Sequence, residues 1–313
     1  MGKGTLAGAC RRVRVLAVGV SALVLGVGAV GTPGAGADVP NISWTELLPA
    51  LPSPPQSAPN RVAHCRKARL KCVRFQIERM EALQARLGCD HKAVFTTTYL
   101  ELTRVLYEKV KADPAYFVFP KFFFREDALF ANVYFRTVRA WELGEPVPPA
   151  WRIAFETAET GEVSGAQDML LGINAHVQND MPFVLASLGL RNRAGTSRKP
   201  DHDKANDALA SGYEPVVRAV GGRFDETMSL TNPDWLIVED IVGLELVRVW
   251  REQVWRNAER LVNARTAAER EQIAREIQAY AAGWAAGMAA VQVPGLRAAR
   301  DEYCARQLGL PTG

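Results

Sequence analysis

The chain of 313 residues carries 38 Lys and Arg against 34 Asp and Glu, a formal net charge of +4. Residues 1–37 hold four of the 38 basic residues and no acidic residue, so 34 of each sign remain beyond residue 37. This neutral balance disfavours proteins that bind nucleic acid or anionic membranes through their overall charge, and we expect no nucleic-acid partner.

Residues 1–37 predict a signal peptide. Basic residues precede the apolar run 15–31, and Ala35-Gly36-Ala37 matches the small-x-small pattern that signal peptidase cleaves. The run is short and Gly-rich, and Pro33 follows it, so a retained transmembrane anchor is disfavoured. We therefore predict cleavage near Ala37 and a secreted or cell-envelope protein with no stable transmembrane anchor after processing.

Residues 38–60 contain six prolines and predict an extended Pro-rich leader. From residue 61 to residue 313 apolar residues recur at helical spacing, and no segment shows sustained period-two alternation. A chain of this length with short connections can bury a large core as one domain. The expected fold is all-α, a single-domain multi-helix bundle without significant sheet.

Turn and cap residues divide the first half of this region into helices. A first helix ends at Gly88, since glycine suits the position after a helix. The next helices are predicted at 93–110 and 127–143, and Pro148-Pro149 opens a short one because proline suits a first turn. Between them lies the aromatic segment Tyr116–Phe124, for which core packing is a commoner use than a membrane or ligand surface.

The second half is also read as helices. A helix over 165–188 is interrupted by Pro182, and a basic loop over 189–200 follows it. Asp201 or Asp203 is expected to cap a helix that runs through Val220. Further helices begin at Asn232-Pro233-Asp234, along the stripe from Ile273 to Val291, and after Pro294.

Four cysteines lie beyond the predicted signal peptide: Cys65, Cys72, Cys89 and Cys304. An even number in an oxidising compartment suggests two disulfides, for which three pairings exist. Cys65 and Cys72 would be roughly 10 Å apart along one helix, too far to bond, so they can pair only if Cys65 precedes the helix. We prefer that pair together with Cys89–Cys304, which leaves no thiol as a nucleophile.

The segment GINAHVQNDMP (172–182) is the first candidate site. His176 and Asp180 are four residues apart and share one face of a helix, whereas Asn174 points elsewhere. An imidazole and a carboxylate so placed can share a metal ion, or the carboxylate can orient the ring. Pro182 cannot complete the helical hydrogen bonds, so the turn that contains Asp180 should be distorted.

The segment DHDKAND (201–207) is the second candidate. If loop 189–200 folds back, Asp203 could meet His176 and Asp180 and form a site of one histidine and two carboxylates. Such a site would hold one divalent metal ion, zinc or a similar one. His202 could add a ligand, and the remaining polar candidates for binding are Asn174, Asn206, Arg191 and Arg198, the last two able to receive an anionic group.

Structural explanations compete with each of these interpretations. A buried His and Asp at helical spacing commonly form a hydrogen-bonded pair, because buried polar groups must be satisfied. Asp201 and Asp203 suit a helix N-terminus. His91, a third histidine that might join a site, is most simply a residue at the start of its helix.

Three segments carry a family resemblance: CDHKAVFTTTYLELT (Cys89–Thr103), MLLGINAHVQNDMP (Met169–Pro182) and the Asp/Asn cluster Asp201–Asp207. Through them the chain resembles, over roughly residues 65–305, exported bacterial all-helical proteins catalogued as a domain of unknown function. The middle segment matches a Gly-x-Asn-Ala-His pattern followed by Asp and a Leu-Pro-like pair, with Met181 in place of Leu. The resemblance implies the fold, export and a focus on His176 and Asp180.

A weaker likeness is to helical zinc phospholipases C and single-strand nucleases, which also place His and Asp four apart on a helix. Those proteins build a three-zinc site from many histidines, and this chain has four histidines in all. A full trinuclear site is therefore not expected here.

Two hypotheses of function follow. The first is a metal-dependent hydrolase in which His176, Asp180 and Asp203 hold one divalent ion that activates water. The second is a non-catalytic helical module that binds a ligand or a partner, in which the same residues form a structural hydrogen-bond network. Neither identifies the partner.

Overall fold

The computed structural model describes residues 65–229 and 233–311, and for residues 229 and 233–242 it describes the backbone alone. The predicted signal peptide (1–37) and Pro-rich leader (38–60) lie outside the described residues. All described residues belong to one compact unit.

Helices account for the regular structure of the described residues, which contain no strand and one isolated bridge between Arg191 and Ser197. The helices are α1 (Lys71–Leu87), α2 (Ala93–Ala112), α3 (Pro120–Glu142), α4 (Pro149–Thr160), α5 (Gly165–Asn174), α6 (Met181–Leu188), α7 (Lys199–Phe224), α8 (Glu226–Ser229), α9 (Pro233–Asn263), α10 (Ala267–Ala289) and α11 (Leu296–Leu308). A π-helical turn at Ala175–Asp180 joins α5 to α6. The predicted all-α bundle is confirmed.

Several predicted helix ends are confirmed, each with a local cause. Helix α1 ends before Gly88, which adopts φ 58°, a value that favours glycine because it has no Cβ. Helix α4 begins at Pro149, where a missing N–H costs no helical hydrogen bond. Ser164 caps α5 in a capping box with Gln167, so both orphan donors at that end are satisfied.

Helix α3 begins earlier than predicted, at Pro120 instead of Asp127. Proline fixes a helical φ and lacks an N–H, so Pro120 starts the helix inside the aromatic segment. Three consecutive rings of its first turns, Phe122 to Phe124, are consequently buried, while Val118 in the preceding loop is 70% exposed. Core packing of this segment is confirmed.

The expected capping of α7 by Asp201 or Asp203 is wrong. The helix begins at Lys199, with Pro200 in its first turn, so both aspartates lie inside it. The Asp201 carboxylate instead accepts hydrogen bonds from the backbone N–H groups of Val118 and Phe119 at 2.7 and 2.6 Å. It therefore anchors the loop before α3, a contact that local sequence patterns do not report.

Both preferred disulfides are confirmed. Cys65 precedes α1, as its pairing with Cys72 requires, and the two Cα atoms are 5.2 Å apart. Cys89 and Cys304, with Cα atoms 5.8 Å apart, link the chain just after α1 to α11. None of the described helices is long and apolar enough to span a membrane.

Helix α2 packs against α1, α5 and α7. The π-helical turn lies among α3, α4, α9 and α10, so its side chains face the middle of the bundle. That turn contains both members of the predicted His–Asp pair, and all but one of its residues are buried. The fold therefore buries the first candidate site in the core.

Candidate functional site

The distortion predicted for the turn before Pro182 is confirmed as a π-helix. The Met181 N–H donates to the carbonyl of His176, five residues back, where an α-helix would bond four residues back. Proline at 182 cannot donate to the Gln178 carbonyl, and its ring would crowd that oxygen in an α-helix. The wider turn relieves this conflict and sets the direction of the side chains within it.

The Asp180 carboxylate is saturated by neighbours in the protein. Its Oδ2 accepts hydrogen bonds from His176 Nδ1 at 2.9 Å and from the Trp151 indole N–H at 2.8 Å. Its Oδ1 accepts from the Asn179 amide at 2.6 Å. The predicted His176–Asp180 pair is thus present, and the carboxylate holds the ring with Nδ1 as the donor.

The His176 ring is held between aromatic side chains. It stacks on Phe130, with ring centroids 3.4 Å apart and planes within 4°, and the edge of Tyr99 lies 4.9 Å away. Phe95 completes this wall because residue 172 is glycine, where a Cβ would overlap the Phe95 ring. Burial lowers the pKa of His176 and the Asp180 carboxylate opposes that shift. The ring is therefore neutral, and its Nε2 is a hydrogen-bond acceptor.

An inter-helical cavity of about 310 Å³ adjoins this ring and is lined mainly by residues of α2, α3, α5, α7 and α9. Its wall is mainly apolar, and its lining includes Leu102, Leu106, Met169, Ile173, Leu209 and Leu244. The contributions of α2 run from Phe95 to Leu106, which corresponds to roughly 16 Å at 1.5 Å per residue. An elongated, apolar space of this kind is typical of sites for small molecules.

Three polar atoms of residues in the cavity wall are buried without a hydrogen-bond partner among the described residues. They are Nε2 of His176, the hydroxyl of Tyr99 and Oδ2 of Asp127. Burial raises the pKa of Tyr99, and the nearby charge of Asp127 adds to the shift. The hydroxyl is therefore protonated and able to donate or to accept. These atoms belong to side chains of three elements, the π-helical turn, α2 and α3, that line one cavity.

Two acidic side chains of α3 line the same cavity. Burial raises the pKa of Glu126 to about 7, and the charge of Arg251 acts in the opposite direction. Burial also raises the pKa of Asp127 to about 7, with a further contribution from the charge of Glu126. Both carboxyls consequently titrate near neutral pH.

Arg251 is the cation of the described cavity wall, and it is held by its neighbours. Its Nε donates to Asn206 Oδ1 at 2.6 Å, and its other nitrogens contact the His202 carbonyl and the Met181 sulfur. The His202 ring donates from Nε2 to the Arg251 carbonyl at 3.0 Å, and its Nδ1 lies 3.3 Å from Arg251 Nη2. Asn206 and His202, predicted as binding and metal residues, thus position Arg251.

Asp203 does not join His176. Its carboxylate, 45% exposed, pairs with Lys199 Nζ at 2.8 Å on the same helix. Among the residues that the structure describes, no three His, Cys, Asp or Glu side chains are grouped so that they could share a metal ion. Loop 189–200 therefore does not bring the predicted ligand set together.

The remaining predicted binding residues make contacts within the protein. Asn174 donates to the Ala281 carbonyl at 2.9 Å and accepts from Gln178 at 2.7 Å. Arg198 donates to the Leu188 and Gly189 carbonyls at the end of α6 and lies over the Phe122 ring. Arg191 donates to the Gly195 carbonyl at 2.8 Å. Both arginines are thereby engaged in shaping the loop.

Sequence reasoning missed Tyr99, Glu126, Asp127 and Arg251 as residues of the cavity wall. One signal was present: the adjacent acids Glu126 and Asp127 lie between the aromatic run that ends at Phe124 and the apolar pair Leu129-Phe130. Two neighbouring acids in an apolar helix are costly to bury, which marks them for attention. The sequence gives no comparable signal for Tyr99, because a single tyrosine among apolar residues of a helix is common in protein cores.

Comparison with known proteins places the chain in one family. Neither a curated protein nor a solved structure gave a match to the chain. A family model matches residues 74–291, a range that includes the π-helical turn and every helix that encloses the cavity. The chain therefore belongs to the family of unknown function DUF5995.

Proposed function

We propose that the protein binds a small, mainly apolar molecule in the cavity between α2, α3, α5, α7 and α9. The polar head group of this ligand is held by His176, Tyr99 and Asp127. The observation that carries the proposal is the presence of three buried, unpartnered polar atoms in one apolar cavity. The proposal is a form of the second hypothesis from sequence, a helical binding module.

The cost of unsatisfied polar groups supports this proposal. More than nine in ten buried polar groups in proteins have a hydrogen-bond partner, and each orphan costs about 1–3 kcal/mol. Three such atoms around one cavity are therefore expensive unless a ligand completes their bonds. A purely structural network accounts for Asp180, whose two oxygens accept three hydrogen bonds. It does not account for Nε2 of His176.

Binding is tested with N-phenylnaphthylamine, a neutral dye whose fluorescence rises in apolar surroundings. We expect saturable binding of one dye per protein, and at least tenfold weaker binding to Ala208→Phe, whose ring would fill the cavity. A tenfold change corresponds to about 1.4 kcal/mol. Ala166→Phe fills the cavity from α5 and gives a second test if the first variant folds poorly.

The matched control is Ala210→Phe, on the same helix as Ala208 but outside the described cavity lining. It should bind the dye as the wild type does. Dye binding that is absent from the wild type, or unchanged in both cavity-filling variants, would overturn the proposal.

A hydrolytic enzyme is the second candidate, favoured by the orientation of His176. Its Nδ1 is fixed by Asp180 while Nε2, on a ring that lines the cavity, has no partner among the described residues, which suits a general base that removes a proton from water. Hydrolysis of nitrophenyl acyl esters that is lost in His176→Ala and retained in His91→Ala would support it. Equal rates in wild type and His176→Ala would exclude His176 as the base for these esters.

The divalent metal ion predicted from sequence has little support from the described side chains. The Nδ1 of His176 and Oδ2 of Asp180 bond to each other, so Nε2 is the atom of this pair left to a metal. Elemental analysis of the purified protein tests the prediction directly. One zinc or similar ion per chain, lost in His176→Ala, would restore the metal-dependent hydrolase.

Export is part of the proposal. The two disulfides support it, since structural disulfides persist mainly in oxidising compartments. The signal-peptide pattern of residues 1–37 adds to this support. Sequencing the N-terminus of protein recovered outside the cytoplasm should find a chain that begins near Asp38. Recovery of the chain only inside the cell, with residues 1–37 intact, would contradict export.

A further inference from the structure

We infer that the head group of the ligand is a protonated amine, bound by Asp127 and His176 on the wall of the cavity. This inference rests on the proposed function and adds the chemical class of the ligand. Three observations support it: the unpartnered atoms are hydrogen-bond acceptors, the described cavity wall carries more acidic than basic side chains, and aromatic rings surround these atoms.

The unpartnered atoms of His176 and Asp127 are hydrogen-bond acceptors, so they require a ligand that donates hydrogen bonds. His176 gives its ring proton to Asp180 from Nδ1, so the buried Nε2 of this cavity-lining ring keeps an unused lone pair. Oδ2 of Asp127 is also an acceptor whenever the carboxylate is ionised. An ammonium group carries three N–H donors and can satisfy both acceptors, with one donor left for the Tyr99 hydroxyl.

The charges of the wall favour a cation. The described side chains that line the cavity include two carboxyls, Glu126 and Asp127, and one permanent cation, Arg251. Arg251 acts on Glu126, whose pKa its charge lowers. The pKa of Asp127 is raised by burial and by Glu126, with no lowering contribution from a cation. A bound ammonium would supply the counter-charge that the ionised Asp127 lacks.

Aromatic faces add to the same preference. Phe95, Tyr99 and Phe130 pack around His176 and line the cavity, and Phe123 lines it beside them. The faces of such rings attract cations, by about 0.5–2 kcal/mol depending on desolvation. A carboxylate head group would instead meet the two acids Glu126 and Asp127 and the acceptor Nε2 of His176. An alcohol would satisfy one acceptor and leave the charge of Asp127 uncompensated.

The test compares three molecules with the same chain: octylamine, octanol and octanoate. Binding of each to the wild-type protein is measured by calorimetry and by displacement of N-phenylnaphthylamine. We expect octylamine to bind at least tenfold more tightly than octanol, and octanoate to bind more weakly than either. Tighter binding of octanol or octanoate would overturn the amine while leaving the apolar binding site intact.

The residue test uses Asp127→Asn, a near-isosteric change at a side chain whose Oδ2 has no protein partner to lose. The advantage of octylamine over octanol should disappear in this variant, while dye binding persists. The control is Asp203→Asn, the same substitution at a half-exposed aspartate outside the described cavity lining, which should keep the full advantage.

The two proposals fail in different ways. If Asp127→Asn keeps the preference for the amine, the inferred role of Asp127 is wrong, although the cavity still binds the dye. If neither the dye nor any of the three octyl compounds binds the wild type, the proposed function fails together with the inference.

Discussion

His91 and His176 are both buried imidazoles beside a carboxylate, but they differ in what their nitrogens meet. His91 donates from Nε2 to Asp301 at 2.9 Å and accepts at Nδ1 from Arg300 at 3.2 Å, so both ring nitrogens are used. In His176, whose ring lines the cavity, one nitrogen is hydrogen-bonded and the other has no partner among the described residues. A histidine whose two ring nitrogens are both hydrogen-bonded is typical of a structural role, whereas a ring nitrogen without a partner on a cavity wall is typical of a binding site.

The packing around the two rings also differs, since the His91 ring is tightly packed and the His176 ring adjoins a cavity. The region of His91 is tightly packed: a Cβ on Gly161 would come within 2.9 Å of the His91 ring, and the Cys89–Cys304 disulfide lies close by in the sequence. His176 instead adjoins about 310 Å³ of space. Substitutions in the first region should therefore change stability alone, and substitutions in the second should change binding.

The largest expected effect on stability is that of Arg300→Met in the His91 region. Arg300 bonds Asp168 at 2.8 Å and the Val163 carbonyl at 2.6 Å, and its loss would leave Asp168 buried without its counter-ion. We expect a loss of about 3–5 kcal/mol in the free energy of unfolding. Denaturant unfolding measures it, with the exposed Arg297→Met as a control that should cost less than about 1 kcal/mol. Loss of dye binding by a folded Arg300→Met variant would contradict the expectation that substitutions near His91 change stability alone.

The histidines themselves provide a matched pair. His176→Ala and His91→Ala should each lower the free energy of unfolding by about 2 kcal/mol, because each leaves hydrogen-bonding neighbours unpaired. Only His176→Ala should also weaken octylamine binding, by at least tenfold. Calorimetry on both variants, at a temperature where both are folded, distinguishes the two sites. Equal binding by the two variants would contradict the assignment of His176.

The acids of the cavity should respond to pH. Burial raises the pKa of Asp127 from 3.8 to about 7, so its ionisation opposes folding increasingly as the pH rises from about 4 to about 7. Asn does not titrate, and we expect Asp127→Asn to be more stable than the wild type by about 1–2 kcal/mol at pH 8. The difference should vanish near pH 4. Thermal unfolding across this range measures it, and a variant that is less stable at pH 8 would disprove the burial of an ionised Asp127.

The smallest expected effect on the free energy of unfolding is that of removing the hydroxyl group from each of two buried tyrosines. Tyr134 shares a hydrogen bond of 2.6 Å with Thr96, whereas the hydroxyl of Tyr99 has no partner in the part of the chain that the structure describes. Tyr134→Phe should cost about 1 kcal/mol in the free energy of unfolding, and Tyr99→Phe should gain about 1 kcal/mol, because it removes a buried hydroxyl that lacks a partner. Denaturant unfolding of both variants tests the difference. A similar loss in both would mean that Tyr99 is satisfied within the protein.

Much of the fold could be predicted because its signals are local. Gly88 and Pro149 mark helix ends through their own backbone preferences, and Pro182 disturbs the turn before it wherever that turn packs. Helical rise excluded a Cys65–Cys72 bond within one helix, so the preferred pairing required Cys65 to lie before the helix, where the structure has it. The start of α3 was missed because proline can lie inside or outside a first turn.

The candidate site could be predicted only in part. The spacing of His176 and Asp180 on one helix was sufficient to pair them, since residues four apart are neighbours. The predicted addition of Asp203 depended on the path of a loop, and that path instead leaves Asp203 with Lys199 at the surface. Asp201 similarly serves a loop distant in sequence.

By itself the sequence determined the all-helical class, several helix ends and the His176–Asp180 pair, because each depends on geometry within a few residues, and it favoured one of three disulfide pairings without deciding among them. Only the tertiary structure decided which buried polar atoms lack a hydrogen-bond partner. Whether Nε2 of His176 or Oδ2 of Asp127 has a partner depends on helices that are distant in sequence. The cavity exists because α2, α3, α5, α7 and α9 do not fill the space between them, and no local pattern reports such a space.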